Sequence, residues 1–140
     1  YNLRTWAVSI FLSHHVAGAA TDSGHSNENR FPMGESYTVV VASEGAETEL
    51  SVPAGTTLRD ALLAADCSPY GRVSERANCG GRGLCATCGV RLADDVAPDH
   101  WHDRLAARFG YPRLSCQVTV DRDMRVELLD DKLVWGGREP

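Results

Sequence analysis

Four cysteines carry the clearest chemistry in this sequence. Cys79, Cys85 and Cys88 lie within ten residues in the pattern C-x5-C-x2-C, and 27 residues separate Cys88 from Cys116. Three ligands from one loop and a fourth from elsewhere in the chain can surround a compact inorganic centre. Because thiolates are soft donors, four of them suit either a 2Fe-2S cluster or a zinc ion. The spacing therefore predicts a metal site with two candidate occupants.

The residues between the first three cysteines favour the cluster. This loop contains Gly80, Gly81 and Gly83, and glycines accept the positive φ angles that turn backbone N–H groups toward bridging sulfides. Zinc ligands more commonly come as two close pairs, whereas Cys116 stands alone. Disulfides or free thiols are a third interpretation. Cys67 lies outside the spacing, and we expect it to be a small buried hydrophobic side chain.

Length and composition point to one folded domain with a tail. Of the 140 residues, 43% are hydrophobic and 24% are charged, which is typical of a globular protein. The formal net charge of −5 makes DNA and RNA poor candidate partners. The basic side chains are thirteen arginines and a single lysine, Lys132. No nucleophile–base pair, paired catalytic carboxylates or phosphate loop accompanies the cysteines, so we do not expect an enzyme.

Apolar residues predict a hairpin and a helix at the start of the domain. Residues 37–52 alternate between apolar and polar side chains on both sides of a Glu-Gly-Ala turn, which is typical of two paired strands. From Leu58 onward, apolar side chains recur at helical spacing, and Thr57 with Asp60 resembles a capping box. These signals predict the main helix over residues 57–66.

The second half of the domain reads as a loop, a strand, a helix and two further strands. Residues 67–87 lack a hydrophobic period and predict an ordered functional loop, followed by a short strand over residues 89–92. Residues 99–109 predict a helix with one apolar stripe, formed by Trp101, Leu105 and Phe109. Residues 113–120 and 124–128 predict a second hairpin. This order indicates an α+β domain with a mixed sheet across its main helix.

In the cysteine loop, the sequence resembles the 2Fe-2S ferredoxins of the plant and adrenodoxin type, which are β-grasp electron carriers. The resemblance covers residues 36–129 and rests on the glycine-rich three-cysteine loop and the distant fourth cysteine. It implies that Cys79 and Cys85 hold one iron while Cys88 and Cys116 hold the other. The plant-type spacing is C-x4-C-x2-C. The spacing here has one extra residue between the first two cysteines, and in this it is similar to adrenodoxin and to the ferredoxin domains of some flavin-linked reductases.

The resemblance also implies a function. It predicts a carrier that moves single electrons between a ferredoxin reductase and an acceptor oxidoreductase, at a low potential near roughly −400 mV. We expect a monomer in the cytoplasm, where reducing conditions favour cluster assembly. We expect no nucleic-acid or membrane partner. The other hypotheses are a zinc-stabilised interaction module and the electron-entry domain of a larger oxygenase or reductase.

The ends of the chain are expected to lie outside the ferredoxin domain. We predict a disordered extension over residues 1–35, the 2Fe-2S domain over 36–130 and a tail over 131–140 in which Trp135 packs back. The apolar run at residues 6–12 is far shorter than the roughly 20 residues of a membrane span. A non-functional extension or an over-called start is our preferred interpretation of the first segment, and a secretory leader is the alternative.

Several charged residues near the cysteines have both a functional and an ordinary interpretation. Arg76 and Arg82 could raise the reduction potential, although exposed arginines are usually only solvated. An acidic group between the third and fourth cysteine could dock a basic redox partner, or could be a solvated face; it comprises Asp94, Asp95, Asp99 and Asp103. His100 and His102 are two residues apart on the predicted helix, so we expect surface residues rather than joint metal ligands.

Overall fold

The first hairpin of the sheet forms as predicted. In the computed structural model, which describes residues 34–130 and 132–138, β1 (Ser36–Ser43) pairs antiparallel with β2 (Ala46–Pro53). The two turn residues, Glu44 and Gly45, have φ angles of 49° and 80°. Two consecutive positive φ angles are characteristic of the type I′ turn, whose twist matches that of paired strands.

The main helix packs against this sheet. α1 (Leu58–Ala64) begins with the predicted cap, in which the Asp60 N–H donates to Thr57 Oγ1 at 3.3 Å. It ends two residues before the predicted limit of residue 66. The reason is local, because Asp66 has a left-handed φ of 57° that an α-helix cannot accommodate.

Five strands form one mixed sheet in the order β2-β1-β5-β3-β4. The last three strands are β3 (Gly89–Leu92), β4 (Arg113–Leu114) and β5 (Met124–Glu127). β5 runs parallel to β1 and antiparallel to β3, which confirms the predicted α+β class with a mixed sheet. The core between α1 and the sheet includes Val39, Val41, Leu58, Leu62, Val90, Val118, Val120, Met124 and Val126.

The predicted second hairpin is wrong. β4 ends at Leu114 and a 3-10 helix (Ser115–Gln117) follows it, so Cys116 lies in a helical turn rather than a strand. β5 lies between β1 and β3 instead of pairing with β4. The segment between the 3-10 helix and β5 contacts the first residue of α1, where the Leu58 N–H donates to the Val118 carbonyl at 2.8 Å. This contact ties the region of the fourth cysteine to the main helix.

The second helix exposes the face that its apolar stripe predicted to be buried. α2 (Trp101–Arg108) buries Asp103 and Ala106. Trp101, Leu105 and Phe109 are 58%, 48% and 52% exposed. The physical reason is that Asp103 binds Arg113 in the interior and thereby turns the opposite face of α2 outward.

The predicted extension over residues 1–35, including the apolar run, falls outside the described residues as far as residue 33. The limits proposed for the domain and its tail remain predictions. Among the residues that the structure describes, no helix has the length and apolar character needed to cross a membrane.

Candidate metal centre

The loop between α1 and β3 carries three of the four predicted ligands. Gly80, Gly81 and Gly83 all have positive φ angles, of 67°, 89° and 70°. At Gly83 the neighbouring segment also lies close, because an added Cβ would be 2.8 Å from the side-chain amide nitrogen of Gln117, which would have to shift. The glycine-rich sequence thus allows the loop to fold closely against the segment that carries Cys116.

The structure brings the four predicted cysteines into two contacts. The sulfur atoms of Cys88 and Cys116 lie 3.4 Å apart although 27 residues separate them in the chain. Within the loop, the backbone N–H of Cys79 donates to the sulfur of Cys85 at 3.4 Å. All four are free thiols rather than disulfides. Cys67 is half-buried against the main hydrophobic core, which agrees with the structural role expected for it.

The pairing of the thiols fits a two-iron cluster. Tetrahedral zinc needs four ligands around one point at about 2.0–2.3 Å. Within the described part of the chain, no three His, Cys, Asp or Glu side chains are arranged to hold one metal ion. A 2Fe-2S cluster divides its four thiolates between two irons, so that only pairs of sulfurs need to meet. The Cys88–Cys116 contact brings two sulfurs together in this way.

The surroundings of the thiols favour their ionised form at two positions. Hydrogen bonds from Cys88 and from the Gln117 amide lower the pKa of Cys116 to about 6 despite its burial. Cys88 has a raised pKa, because it donates to Cys116 and because it is buried. For Cys79, partial burial raises the pKa, but hydrogen bonds from three backbone N–H groups outweigh it and lower the pKa to about 6. Metal ligation requires thiolates, and the lowered pKa values of Cys79 and Cys116 favour that form.

Arg59 is a cation beside the loop that the sequence did not single out. Its guanidinium lies over the Tyr70 ring at 5.6 Å, and its Nη1 would be 3.5 Å from a Cβ on Gly81. Its charge contributes to the lowered pKa of Cys116. The predicted tuning residues Arg76 and Arg82, in contrast, are exposed. Nothing in the helical pattern of α1 indicates that position 59 faces the loop.

The expectation that both histidines are surface residues is wrong. His100 and His102 are half-buried. The Nδ1 of His102 lies 2.7 Å from the Gly83 carbonyl oxygen, which joins α2 directly to the cysteine loop. His100 accepts a hydrogen bond from the His102 N–H at the start of the helix. Both residues therefore position elements around the cysteines.

One member of the predicted acidic group belongs to the interior. Asp103 is fully buried and binds Arg113, and it also accepts from the Leu114 N–H at 2.8 Å. This ion pair stabilises β4, which directly precedes the 3-10 helix that carries Cys116. Asp94, Asp95 and Asp99 are exposed, so the acidic surface contains three carboxylates rather than four.

An apolar groove adjoins the cysteine loop. It has a volume of about 450 Å³, and its lining includes Leu105, Phe109, Tyr111, Trp135 and Ala86. The indole N–H of Trp135 donates to the Cys85 carbonyl at 2.8 Å, as expected for a tail that packs back onto the domain. The Trp135 side chain is nevertheless 66% exposed, so it forms an outer wall of this groove.

Comparison with known proteins agrees with this geometry. Residues 41–121 match the family described as the 2Fe-2S iron-sulfur cluster binding domain. The structure is similar to the crystal structure of Trichomonas vaginalis ferredoxin, with a TM-score of 0.54 and 22% identity over 65% of this chain and 99% of that one. It is also similar to a ferredoxin from Rhodopseudomonas palustris HaA2, with a TM-score of 0.52 and 21% identity over 71% of this chain and 100% of that one. No curated protein sequence matches.

Proposed function

Because this chain belongs to the family of 2Fe-2S iron-sulfur cluster binding domains, we propose that Cys79, Cys85, Cys88 and Cys116 are its cluster ligands. In this proposal Cys79 and Cys85 hold one iron, and Cys88 and Cys116 hold the other. The observation that carries it is the 3.4 Å contact between the Cys88 and Cys116 sulfurs. Both side chains are buried, so a loop cysteine and a distant cysteine meet in the interior.

The domain is a 2Fe-2S electron carrier with the β-grasp ferredoxin fold, and members of its family are carriers rather than enzymes. When bound, the cluster supplies a site that gains or loses an electron. We propose that each transfer moves one electron between a reductase and an acceptor. The chain contributes thiolates, backbone N–H groups directed at sulfur and partial exclusion of water. These free thiols are suited to the reducing conditions of the cytoplasm, which we propose as the location.

Spectroscopy of the purified protein tests this function. We expect a red-brown protein whose visible absorption is bleached by dithionite and whose reduced form has an EPR signal of one unpaired electron. Chemical analysis should find iron and acid-labile sulfide in equal amounts, as a 2Fe-2S composition requires. A colourless protein that contains zinc would contradict the proposal and favour the zinc-stabilised interaction module.

We propose that the redox partners dock beside the cysteine loop and present a basic surface with an apolar centre. Asp94 and Asp95 lie on one side of Tyr111 and Pro112, and the apolar groove lies on the other side of the same two residues. The negative charge attracts a basic partner, and the groove offers apolar area close to Cys85. Electron-transfer encounters are small and steered by charge, which suits such a surface.

Removing acidic charge from this surface should slow electron transfer at low salt. We expect the double variant Asp94→Asn, Asp95→Asn to reduce a basic cytochrome c about 3- to 10-fold more slowly at low ionic strength. The difference should shrink as salt screens the charges. Stopped-flow measurements at several salt concentrations check this result.

The matched control removes the same kind of charge at the edge of the sheet. Glu49→Gln on β2 changes an exposed carboxylate in the same way, and it should leave the rate nearly unchanged. If this control slows transfer as much per charge as the double variant does, net charge alone explains the effect and the docking surface is refuted.

A further inference from the structure

The only lysine of the chain is buried beside the cysteine loop. Lys132 is 6% exposed, and its Nζ donates to the carbonyl oxygens of Pro69 and Gly89, the second at 2.5 Å. Pro69 precedes the loop cysteines, and Gly89 directly follows Cys88. The buried ammonium group therefore links the residues on either side of the three loop cysteines.

A buried ammonium group is costly unless a negative charge compensates it. Among the residues that the structure describes, no carboxylate forms an ion pair with Lys132, and its hydrogen-bond partners are neutral carbonyls. Burial lowers its pKa to about 8, while the negative charges of Cys88 and Asp130 act in the opposite direction. The two carbonyl acceptors hold the Lys132 Nζ group against the side of the loop that holds Cys88, so its ammonium form places a positive charge there.

The segment around Lys132 is held in place independently. The Val73 N–H donates to the Leu133 carbonyl at 3.3 Å, and Arg91 Nη2 donates to the Gly137 carbonyl at 2.8 Å. Gly71 touches this segment so closely that an added Cβ would lie 2.3 Å from the Lys132 carbonyl oxygen. Together with the Trp135 indole bond to Cys85, these contacts leave the Lys132 side chain little freedom to move toward solvent.

We propose that Lys132 is a buried counter-ion that raises the reduction potential of the cluster by favouring its reduced state. This inference rests on the proposed ligation by four cysteines. Four thiolates and two sulfides outweigh the charge of two ferric ions, so the cluster is an anion, and one-electron reduction adds one further negative charge. The electron comes from the reductant, Lys132 keeps its proton, and no bond is made or broken. A fixed positive charge in a low-dielectric site stabilises the more negative state more strongly.

The role of the charge can be separated from the role of the hydrogen bonds. Lys132→Gln removes the charge but keeps a donor group, whereas Lys132→Arg keeps both. At a fixed ambient potential, we expect the ratio of reduced to oxidised protein to fall about tenfold in K132Q, which corresponds to about 59 mV for one electron. K132R should stay within about twofold of the wild type. Spectroelectrochemical titration of each variant, with iron and sulfide content measured in parallel, gives these ratios.

Arg82→Gln is the matched control, because it removes an exposed positive charge from the same loop. We expect solvent to screen that charge, so that R82Q changes the ratio less than about twofold. An unchanged ratio in K132Q with full iron content, or an equal change in R82Q, would overturn the inference. A wild-type protein without iron and sulfide would instead refute the proposed function itself.

A measurement on the wild-type protein covers the case in which K132Q loses its cluster. Since the chain has one lysine, 13C-lysine labelling gives a single side-chain signal whose shift reports protonation. By thermodynamic reciprocity, a charge that favours reduction must bind its proton more tightly in the reduced protein. We expect the measured pKa of Lys132 to be about one unit higher after reduction with dithionite. Equal values in the two states would refute the inference.

Discussion

Alanine at Cys88 will yield a protein without the 2Fe-2S chromophore. The change removes one thiolate of the buried pair and leaves Cys116 without the partner that lies 3.4 Å from its sulfur. No neighbouring side chain of equivalent chemistry stands ready, because the remaining free cysteine, Cys67, packs against the main core. Even outer-shell changes at metal sites cost about 10- to 100-fold in affinity. We therefore expect iron and sulfide content to fall by more than about tenfold, as measured by absorption and chemical analysis.

Cys67→Ala provides the control for the four-cysteine assignment. It removes a thiol from the same domain, and we expect full iron content with a small loss of stability from the vacated volume. The opposite pattern, in which C67A is colourless and C88A keeps its cluster, would show that the ligand set is wrongly assigned. Parallel expression of both variants under identical iron supply makes the comparison direct.

The cysteine loop was predictable because its information is local. The spacing of three cysteines and the glycines between them lie within ten consecutive residues, and the structure uses them in one loop. The same holds for the first hairpin, whose turn residues adopt two positive φ angles, and for the Thr57 cap of α1. In each case neighbouring residues both carry the signal and form the structure.

Strand pairing at the end of the domain could not be read in this way. Alternation along residues 124–128 indicates a strand but not its neighbours, and a hairpin with the preceding segment is the default choice. In the structure β5 enters between β1 and β3, and Val118 binds the first residue of α1 instead. The deciding contacts join segments about 34 to 85 residues apart, and no local pattern records them.

Buried charges are the second class of feature that escaped prediction. Asp103 looked like part of an acidic surface, and Lys132 was noticed only as the single lysine. Each is buried with hydrogen-bond partners from another segment, namely Arg113 for the aspartate and the Pro69 and Gly89 carbonyls for the lysine. Since charged residues are ordinarily exposed, sequence reasoning assigns them to the surface until the partner is known.

Asp103→Ala should destabilise the domain more than any change at its acidic surface. The Asp103 carboxylate is fully buried and binds Arg113 through both oxygens. Its Oδ1 accepts from the Arg113 Nε at 3.1 Å, and its Oδ2 accepts from the Arg113 Nη2 at 2.6 Å. Its removal leaves the Arg113 guanidinium and the Leu114 N–H without these partners. Breaking a buried pair on one side costs about 3–5 kcal/mol, so the urea midpoint of unfolding should fall sharply in circular dichroism measurements.

Two further variants separate the buried pair from simple loss of charge. Asp99→Asn, at an exposed position just before α2, should change the free energy of unfolding by less than about 0.5 kcal/mol. Replacing Asp103 and Arg113 together with apolar residues should cost less than Asp103→Ala alone, because no unpaired charge remains. A midpoint for Asp103→Ala equal to that of Asp99→Asn would refute the role of the pair.

Because Leu114 lies two residues before Cys116, the loss of the Asp103 bond to the Leu114 N–H should also release iron at a lower urea concentration than global unfolding requires.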